Sequence, residues 1–308
     1  MEKRVSVILP AYNVESYIEE AVKSILFQSY GNIEVVVVDD GSCDNTYGIV
    51  SRIAKCDSRV VTIRNSENCG IAFTLNVALS HSTGEYIVRM DGDDVSEENR
   101  VERLIDFLEK NACFDIVGCS MVGINKEGDV VNVTEYSSSE DTLVRTLKYG
   151  PPLAHIWCAR KSVYEALNGY REVSGVEDYD FLLRANAEGF RFTNIPDYFG
   201  YKVRVFREGN SAELHGVKQI KLKRYVYKLY RERLHRGEDS FSPELRNNYT
   251  KTTWAMDRLH VFSNRMLRKY VIEKRRKPFM CYFFLILSLV SPYQIFYLKD
   301  RFMKRVLQ

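Results

Sequence analysis

Three carboxylates stand within four residues at Asp91-Gly92-Asp93-Asp94, directly after the apolar run Tyr86-Ile87-Val88 and Arg89-Met90. Carboxylates this close repel one another unless a cation or a positively charged ligand sits among them. The stretch reads as a hard-cation site at a strand end, with the oxygen ligands that suit Mn2+ or Mg2+. Asp-Gly is also an ordinary turn dipeptide, so taken alone the cluster leaves a plain surface turn open. Two further polar clusters, Tyr12-Asn13 and Asp39-Asp40, likewise follow apolar runs. Glu177 and Asp178 open a helical pattern, where acidic residues also serve simply to complement the helix dipole.

The elements that must position these groups follow from periodicity. Val5 to Leu9 is a β-branched run closed by Pro10, and apolar residues from Val14 to Gln28 fall at helical spacing. Ile33 to Val38 is apolar without alternation, the pattern of a strand buried on both faces of a parallel sheet. Helix and strand then alternate: a helix over 45–54, a strand over 59–64, a helix over 71–80 and the strand that carries Asp91. Right-handed β-α units of this kind predict a Rossmann-like α/β sheet that binds ligands at the carboxyl ends of its strands. The chain has no G-x-G-x-x-G after the first strand and no G-x-x-x-x-G-K-S/T, so a bound cation would have to neutralise phosphates in their place. A helix over 97–110, a strand over 116–121 and a hairpin turning at 126–129 follow.

The ordered set of segments resembles a family 2 glycosyltransferase of the GT-A fold. The matching stretches are Val5 to Asn13, Val38 to Ser42, Asn68 to Ala72, Gly84 to Asp94, His155, Gly169 to Arg171, and Glu177 to Arg184. They run in the family's order over roughly residues 4 to 211. The resemblance implies a GT-A mixed sheet flanked by helices. It places Tyr12 on the nucleobase, Asp40 where the base, usually uracil, is read, and Asp91 near the ribose. Pro10, Asn13, Asn68, Gly70 and Arg89 complete the implied nucleotide site. It makes Asp93 the metal ligand and Asp178 the base that deprotonates the acceptor. His155, Glu177, Arg184 and Arg207 fall on the acceptor or diphosphate side, Arg184 through a supporting ion pair. Many relatives carry a histidine near the end of the fold. Here Tyr201 to Ser211 holds none, which leaves Arg204, Arg207 or His215 to fill that place.

The expected reaction is inverting, metal-dependent transfer of one sugar from a nucleotide-sugar, a UDP-sugar first, to a lipid-linked or growing glycan acceptor. A sugar nucleotidyltransferase is the alternative enzyme, but Pro10 to Asn13 occupies the place of its glycine-rich loop. An inactive sugar-nucleotide-binding scaffold is the third reading, against which Asp93 and Asp178 speak. Neither Trp157 nor Trp254 lies in the Gln-x-x-Arg-Trp motif of processive synthases, which favours single addition.

Composition divides the chain into 1–216, catalytic, and 217–308, a basic helical tail. Residues 1 to 220 hold 23 Lys and Arg against 34 Asp and Glu, a balance of −11, whereas residues 221 to 308 hold 21 against 7, a balance of +14. Seven cysteines without a C-x-x-C pair argue for a reducing compartment. Polar Tyr12-Asn13 and Glu15 interrupt the N-terminal apolar run, so a cleavable signal is not expected there. In the tail, 217–236 and 249–272 read as helices, and residues 279–298 carry no charge. Ser291-Pro292 breaks that segment and basic clusters flank it, so an in-plane or re-entrant hairpin on an anionic membrane is expected ahead of a span or an oligomer contact. The expected location is the cytoplasmic face of the cell membrane. The basic clusters match no nucleic-acid module, so nucleic acid is not an expected partner.

Overall fold

The computed structural model describes residues 2–205, 216–273 and 278–307. The chain forms two compact units, one of residues 1–145 with 151–207 and one of residues 146–150 with 208–308.

The first unit is built from β1 (Val5–Ala11), α1 (Ile18–Leu26), β2 (Ile33–Asp39), α2 (Thr46–Cys56), β3 (Val60–Arg64), α3 (Ile71–Ser80), β4 (Tyr86–Arg89), β5 (Val95–Ser96) and α4 (Arg100–Lys110). It continues with β6 (Ile116–Ile124), β7 (Val130–Thr134), α5 (Glu140–Thr146), β8 (Cys158–Arg160), α6 (Lys161–Leu167), α7 (Glu177–Ala187) and β9 (Phe192–Arg204). The strands form one sheet in the order β3-β2-β1-β4-β8-β6-β9-β5, with β7 paired to β6. β3, β2, β1 and β4 are mutually parallel, whereas β8 runs antiparallel between β4 and β6. The sheet is thus mixed, as the GT-A resemblance implies. All seven positions of both β1 and β2 are buried, as unalternating apolar strands must be when both faces are covered. Helix α1 turns Ile18, Ala21, Val22 and Ile25 onto that sheet, a stripe at helical spacing. Ile18, Val22 and Ile25 each contribute about 1.5–3 kcal/mol by leaving water, and Ala21 less than that.

Pro10 does not close β1, which runs on to Ala11. Met90 N–H donates to Ile8 O at 3.1 Å on the β4 side, and Asp40 N–H donates to Ala11 O at 2.8 Å on the β2 side. Backbone groups alternate sides along a strand, so Pro10 shares the β4 side with Ile8. β4 ends at Arg89, opposite Ile8, so no ladder bond is lost at the proline. The strand order reverses between β1 and β4, and the polar ends of β1, β2 and β4 flank that switch point.

The second unit holds the described helices α8 (Val217–Arg236), α9 (Pro243–Thr250), α10 (Trp254–Glu273), α11 (Pro278–Ser288) and α12 (Pro292–Leu307). The single helix expected over 249–272 is two. Ser242 caps α9 by accepting the Leu245 N–H, with Pro243 in the first turn, and α10 begins afresh at Trp254 after Thr252 bonds Asp257 at 2.7 Å. Among the described residues no single helix is long and apolar enough to cross a membrane. Cys281–Ser288 and Pro292–Leu307 meet at a bend of 110°.

Candidate active site

Asp91 leaves the end of β4 with its backbone N–H donating to the Tyr201 hydroxyl at 3.1 Å. Its Oδ2 lies 2.8 Å from Nε2 of His155, which the segment before β8 delivers. Asp94 is 1 % exposed, and its Oδ1 accepts the Arg204 N–H from β9 at 2.8 Å. Its Oδ2 is buried without a hydrogen bond of ordinary geometry, although the Tyr201 hydroxyl is near enough to favour the charged form. Burial, then the charge of Asp91, pushes the Asp94 carboxyl up to about 7. Burial opposes a charge on His155, but Asp91 and Asp178 outweigh both burial and Arg89 and raise its pKa. One ligand atom from each of Asp91, Asp94 and His155 lies within 4.8 Å of the others. Two carboxylates and an imidazole, one carboxylate oxygen of which is buried without a bond, suit a small divalent cation. Asp93 is buried and stands outside this trio.

Arg89 is buried at the end of β4 between two acids. Its Nε is 3.5 Å from Asp91 Oδ1 and its Nη1 is 3.4 Å from Glu177 Oε1. Burial works against its charge, but Asp91 and Glu177 hold it firmly protonated. Glu177 also accepts the Gly175 N–H at 2.8 Å, and burial raises its pKa against the pull of Arg89. Asp178 follows in the first turn of α7, half-buried, and its charge acts on Arg89, His155 and Glu177. The acidic start of α7 is therefore electrically joined to the end of β4. Arg184, one turn along α7, pairs with Asp180 at 2.7 Å and donates to the carbonyls of Leu167 and Gly169. These bonds tie α7 to the end of α6.

At the ends of β1 and β2 the groups organise loops. Asp40 accepts Asn65 Nδ2 at 2.7 Å and the N–H groups of Cys69 and Gly70 at 2.9 Å. Asp39 takes the Ser42 N–H and pairs with Arg64 at 3.2 Å, while its Oδ1 is buried without a partner. Asn13 adopts a left-handed φ of 52° and receives the Cys43 N–H at 2.9 Å, and its own N–H donates to Ser42. Gly41 is at φ +71°, and a Cβ there would stand 2.6 Å from the Glu67 carbonyl carbon, so the two loops close only over glycine. Pro10 is buried under this edge, Tyr12 is 43 % exposed on it, and Asn68 is exposed beside Gly70.

Arg204 directs its guanidinium to Glu20 and to the carbonyls of Asn125 and Lys126. Arg207 and His215 lie outside the described residues. Pattern reading passed over Arg100 and Tyr201 and counted Asp94 in the acidic cluster without assigning it a ligand role of its own. Arg100 is fully buried, donates to the carbonyls of Arg89 at 2.7 Å and Ile156 at 2.9 Å, and lies 4.7 Å over the Tyr201 ring. One guanidinium thereby joins the end of β4, which leads into Asp91, to the segment that brings His155. The signal was present: Arg100 falls on the same helical stripe as Leu104 and Leu108, a place where a charge calls for a buried partner.

The family model described as glycosyl transferase family 2 matches residues 6–209. The putative glycosyltransferase EpsE of Bacillus subtilis is 39 % identical over 206 residues, 65 % of this chain and 73 % of that protein. An Escherichia coli relative is 32 % identical over 205 residues, 65 % of this chain and 77 % of its own length. It is named UDP-Glc:alpha-D-GlcNAc-diphosphoundecaprenol beta-1,3-glucosyltransferase WfaP. Two solved structures share the fold. Staphylococcus aureus TarS 1-349 in complex with UDP-GlcNAc has a TM-score of 0.64 at 19 % identity, covering 97 % of this chain and 91 % of that one. The mannosyltransferase PcManGT of Pyrobaculum calidifontis with GDP-Man and Mn2+ has a TM-score of 0.61 at 21 % identity, covering 97 % and 87 %. With strand ends, acidic cluster and helix α7 arranged as described, and the family model covering residues 6–209, this chain belongs to glycosyl transferase family 2 and is a glycosyltransferase of the GT-A fold.

Proposed function

We propose that the enzyme moves a single sugar from a UDP-sugar to a lipid-linked or growing glycan acceptor, with inversion, at the cytosolic face of a membrane. The observation that carries this reading is that Asp91, Asp94 and His155 converge beside Arg89, which reaches from Asp91 to Glu177, the neighbour of Asp178, at the switch point of the sheet. Asp178 accepts the proton of an acceptor hydroxyl as that oxygen bonds to the anomeric carbon. The bond from that carbon to the nucleoside diphosphate breaks on the opposite face. Asp91, Asp94 and His155 would hold Mn2+ or Mg2+, with Asp93 of the D-x-D motif as the competing ligand. Bound there, a dication offsets the negative charge that grows on the departing diphosphate, help worth on the order of 3 kcal/mol. Arg89 pairs with Asp91 and Glu177 and holds them in place, and Tyr12 supplies an exposed ring for the nucleobase.

Asp40 has its oxygens on the 65–70 loop, so in this reading it sets the wall of the base pocket, and Asp39 Oδ1 is the adjacent acceptor for a base N–H. The E. coli relative supports a UDP donor and a lipid diphosphate acceptor, and the Mn2+ in PcManGT supports the cation. The deciding experiment is a panel of nucleotide-sugars with Mn2+, scored by thermal shift and by release of nucleoside diphosphate. Metal-dependent hydrolysis of a UDP-sugar is expected. Binding without any turnover, with or without acceptor lipids, would leave only a sugar-nucleotide-binding protein.

A further inference from the structure

The second unit presents apolar side chains to solvent in a pattern that random surface exposure does not give. On α11 and the turn after it, Tyr282, Phe283, Ile286 and Val290 are 49–67 % exposed and fall within about 100° of one another around the helix axis. Buried Cys281 and Ser288 lie on the opposite side. On α12, Ile295, Phe302 and Val306 form a second exposed line at spacings of seven and four, interleaved with exposed Lys299, Arg301 and Arg305.

The bend between the two helices is fastened. Ser291 N–H donates to Ser263 Oγ of α10 at 3.0 Å, and Ser291 Oγ lies 3.1 Å from His260 Nδ1. Ser263, Ser288, Ser291 and Gln294 are each 1 % exposed or less. Straightening α11 and α12 into one span would break these buried bonds and carry their polar groups into hydrocarbon, where each unmet group costs several kcal/mol. The bent arrangement instead suits a surface that is apolar below and polar above.

We infer that α11 and α12 form an in-plane docking surface for an anionic lipid bilayer. Apolar insertion supplies one part of the affinity. The positive balance of residues 221 to 308, 21 basic against 7 acidic, supplies the other and selects anionic over neutral lipid. Lys299, Arg301 and Arg305 reach the headgroups while their stems lie along the apolar face. The inference uses no residue of the transfer site, so either can fail alone.

The test is flotation of the full chain with vesicles of neutral phosphatidylcholine or of phosphatidylcholine with about 30 % phosphatidylglycerol, whose negative surface potential attracts basic segments. Binding to the anionic vesicles at least tenfold above the neutral ones is expected, falling with salt. The double variant Ile286→Glu/Phe302→Glu and the charge variant Lys299→Glu/Arg305→Glu each lower it at least tenfold, with donor hydrolysis unchanged as the check on folding. Release of the bound protein by alkaline carbonate supports in-plane seating, whereas retention overturns it in favour of a span. Equal flotation with both vesicle types overturns the anionic partner. Failure to float, with a dimer in solution that Ile286→Glu dissociates, would assign the face to a second copy.

Discussion

His155 Nε2 sits 2.8 Å from Asp91 Oδ2 although 64 residues separate them. The pairing depends on β8, which enters antiparallel beside β4 and sets Val88 against Cys158. Arg89 N–H donates to Trp157 O at 3.1 Å, and Arg100 binds the carbonyls on both sides of this seam. Backbone bonds on both sides of the seam thus bring the imidazole and carboxylate together. A histidine held this way is both a candidate ligand and a carrier of positive charge near the proposed diphosphate site. The choice between those roles is open to measurement.

Metal affinity separates them. Asp94→Asn and His155→Ala are each expected to weaken Mn2+ binding in the presence of UDP by about tenfold or more, the usual effect of losing a ligand or its partner. Isothermal titration reads this directly. A loss confined to Asp93→Asn would return the ligand role to the D-x-D motif and leave His155 as a charge.

Asp178→Asn removes the proposed proton acceptor with little change in shape. Sugar transfer is expected to fall by about two to four orders of magnitude, the range for a positioned general base. Nucleotide-sugar affinity by titration should stay within a few-fold. An Asp178→Asn enzyme that transfers at the native rate would assign the base elsewhere.

Arg100→Met leaves the carbonyls of Arg89 and Ile156 without their donor. A loss of about 2–5 kcal/mol in folding stability is expected, from two buried carbonyls left without a donor at roughly 1–3 kcal/mol each. Denaturant unfolding measures the stability. Weaker Mn2+ binding at temperatures where the variant is still folded would show that the Asp91–His155 seam has loosened.

Glu34 is buried at the amino end of β2 and accepts from Ser6, from the Thr83 N–H and hydroxyl, and from Arg4. Burial raises its pKa, but these bonds together outweigh it and leave the carboxyl below the usual value of 4.5. A lowered folded pKa means that its contribution is complete above 4.5 and disappears as pH falls through the folded value. Glu34→Gln should therefore cost about 2 kcal/mol at pH 7. The gap in melting temperature to the native protein should close as the solution is acidified below the usual glutamate range. A gap that stays constant with pH would show that the charge is not what the site uses.

Much of the first unit was legible in the chain. The runs Val5 to Leu9 and Ile33 to Val38 can satisfy themselves only inside a covered parallel sheet, and the helix over Ile71–Ser80 appears as its spacing predicts. Strand ends follow from that, so Tyr12, Asp40 and Asp91 come to one edge on local pattern alone. Local pattern could not show β8, three residues long and without flanking turn signals, nor the placement of His155 that depends on it. Neither could it show that Asp40 and Arg184 have their polar atoms on neighbouring loops, or that Asp94 rather than Asp93 joins Asp91 and His155. These are matters of direction: a residue type fixes which bonds a side chain can make, and only the packed backbone fixes which partner comes within 3 Å of it. The same holds for the uncharged run over 279–298. Its composition marks it as apolar, and the buried contacts of Ser291 with Ser263 and His260 decide that it bends.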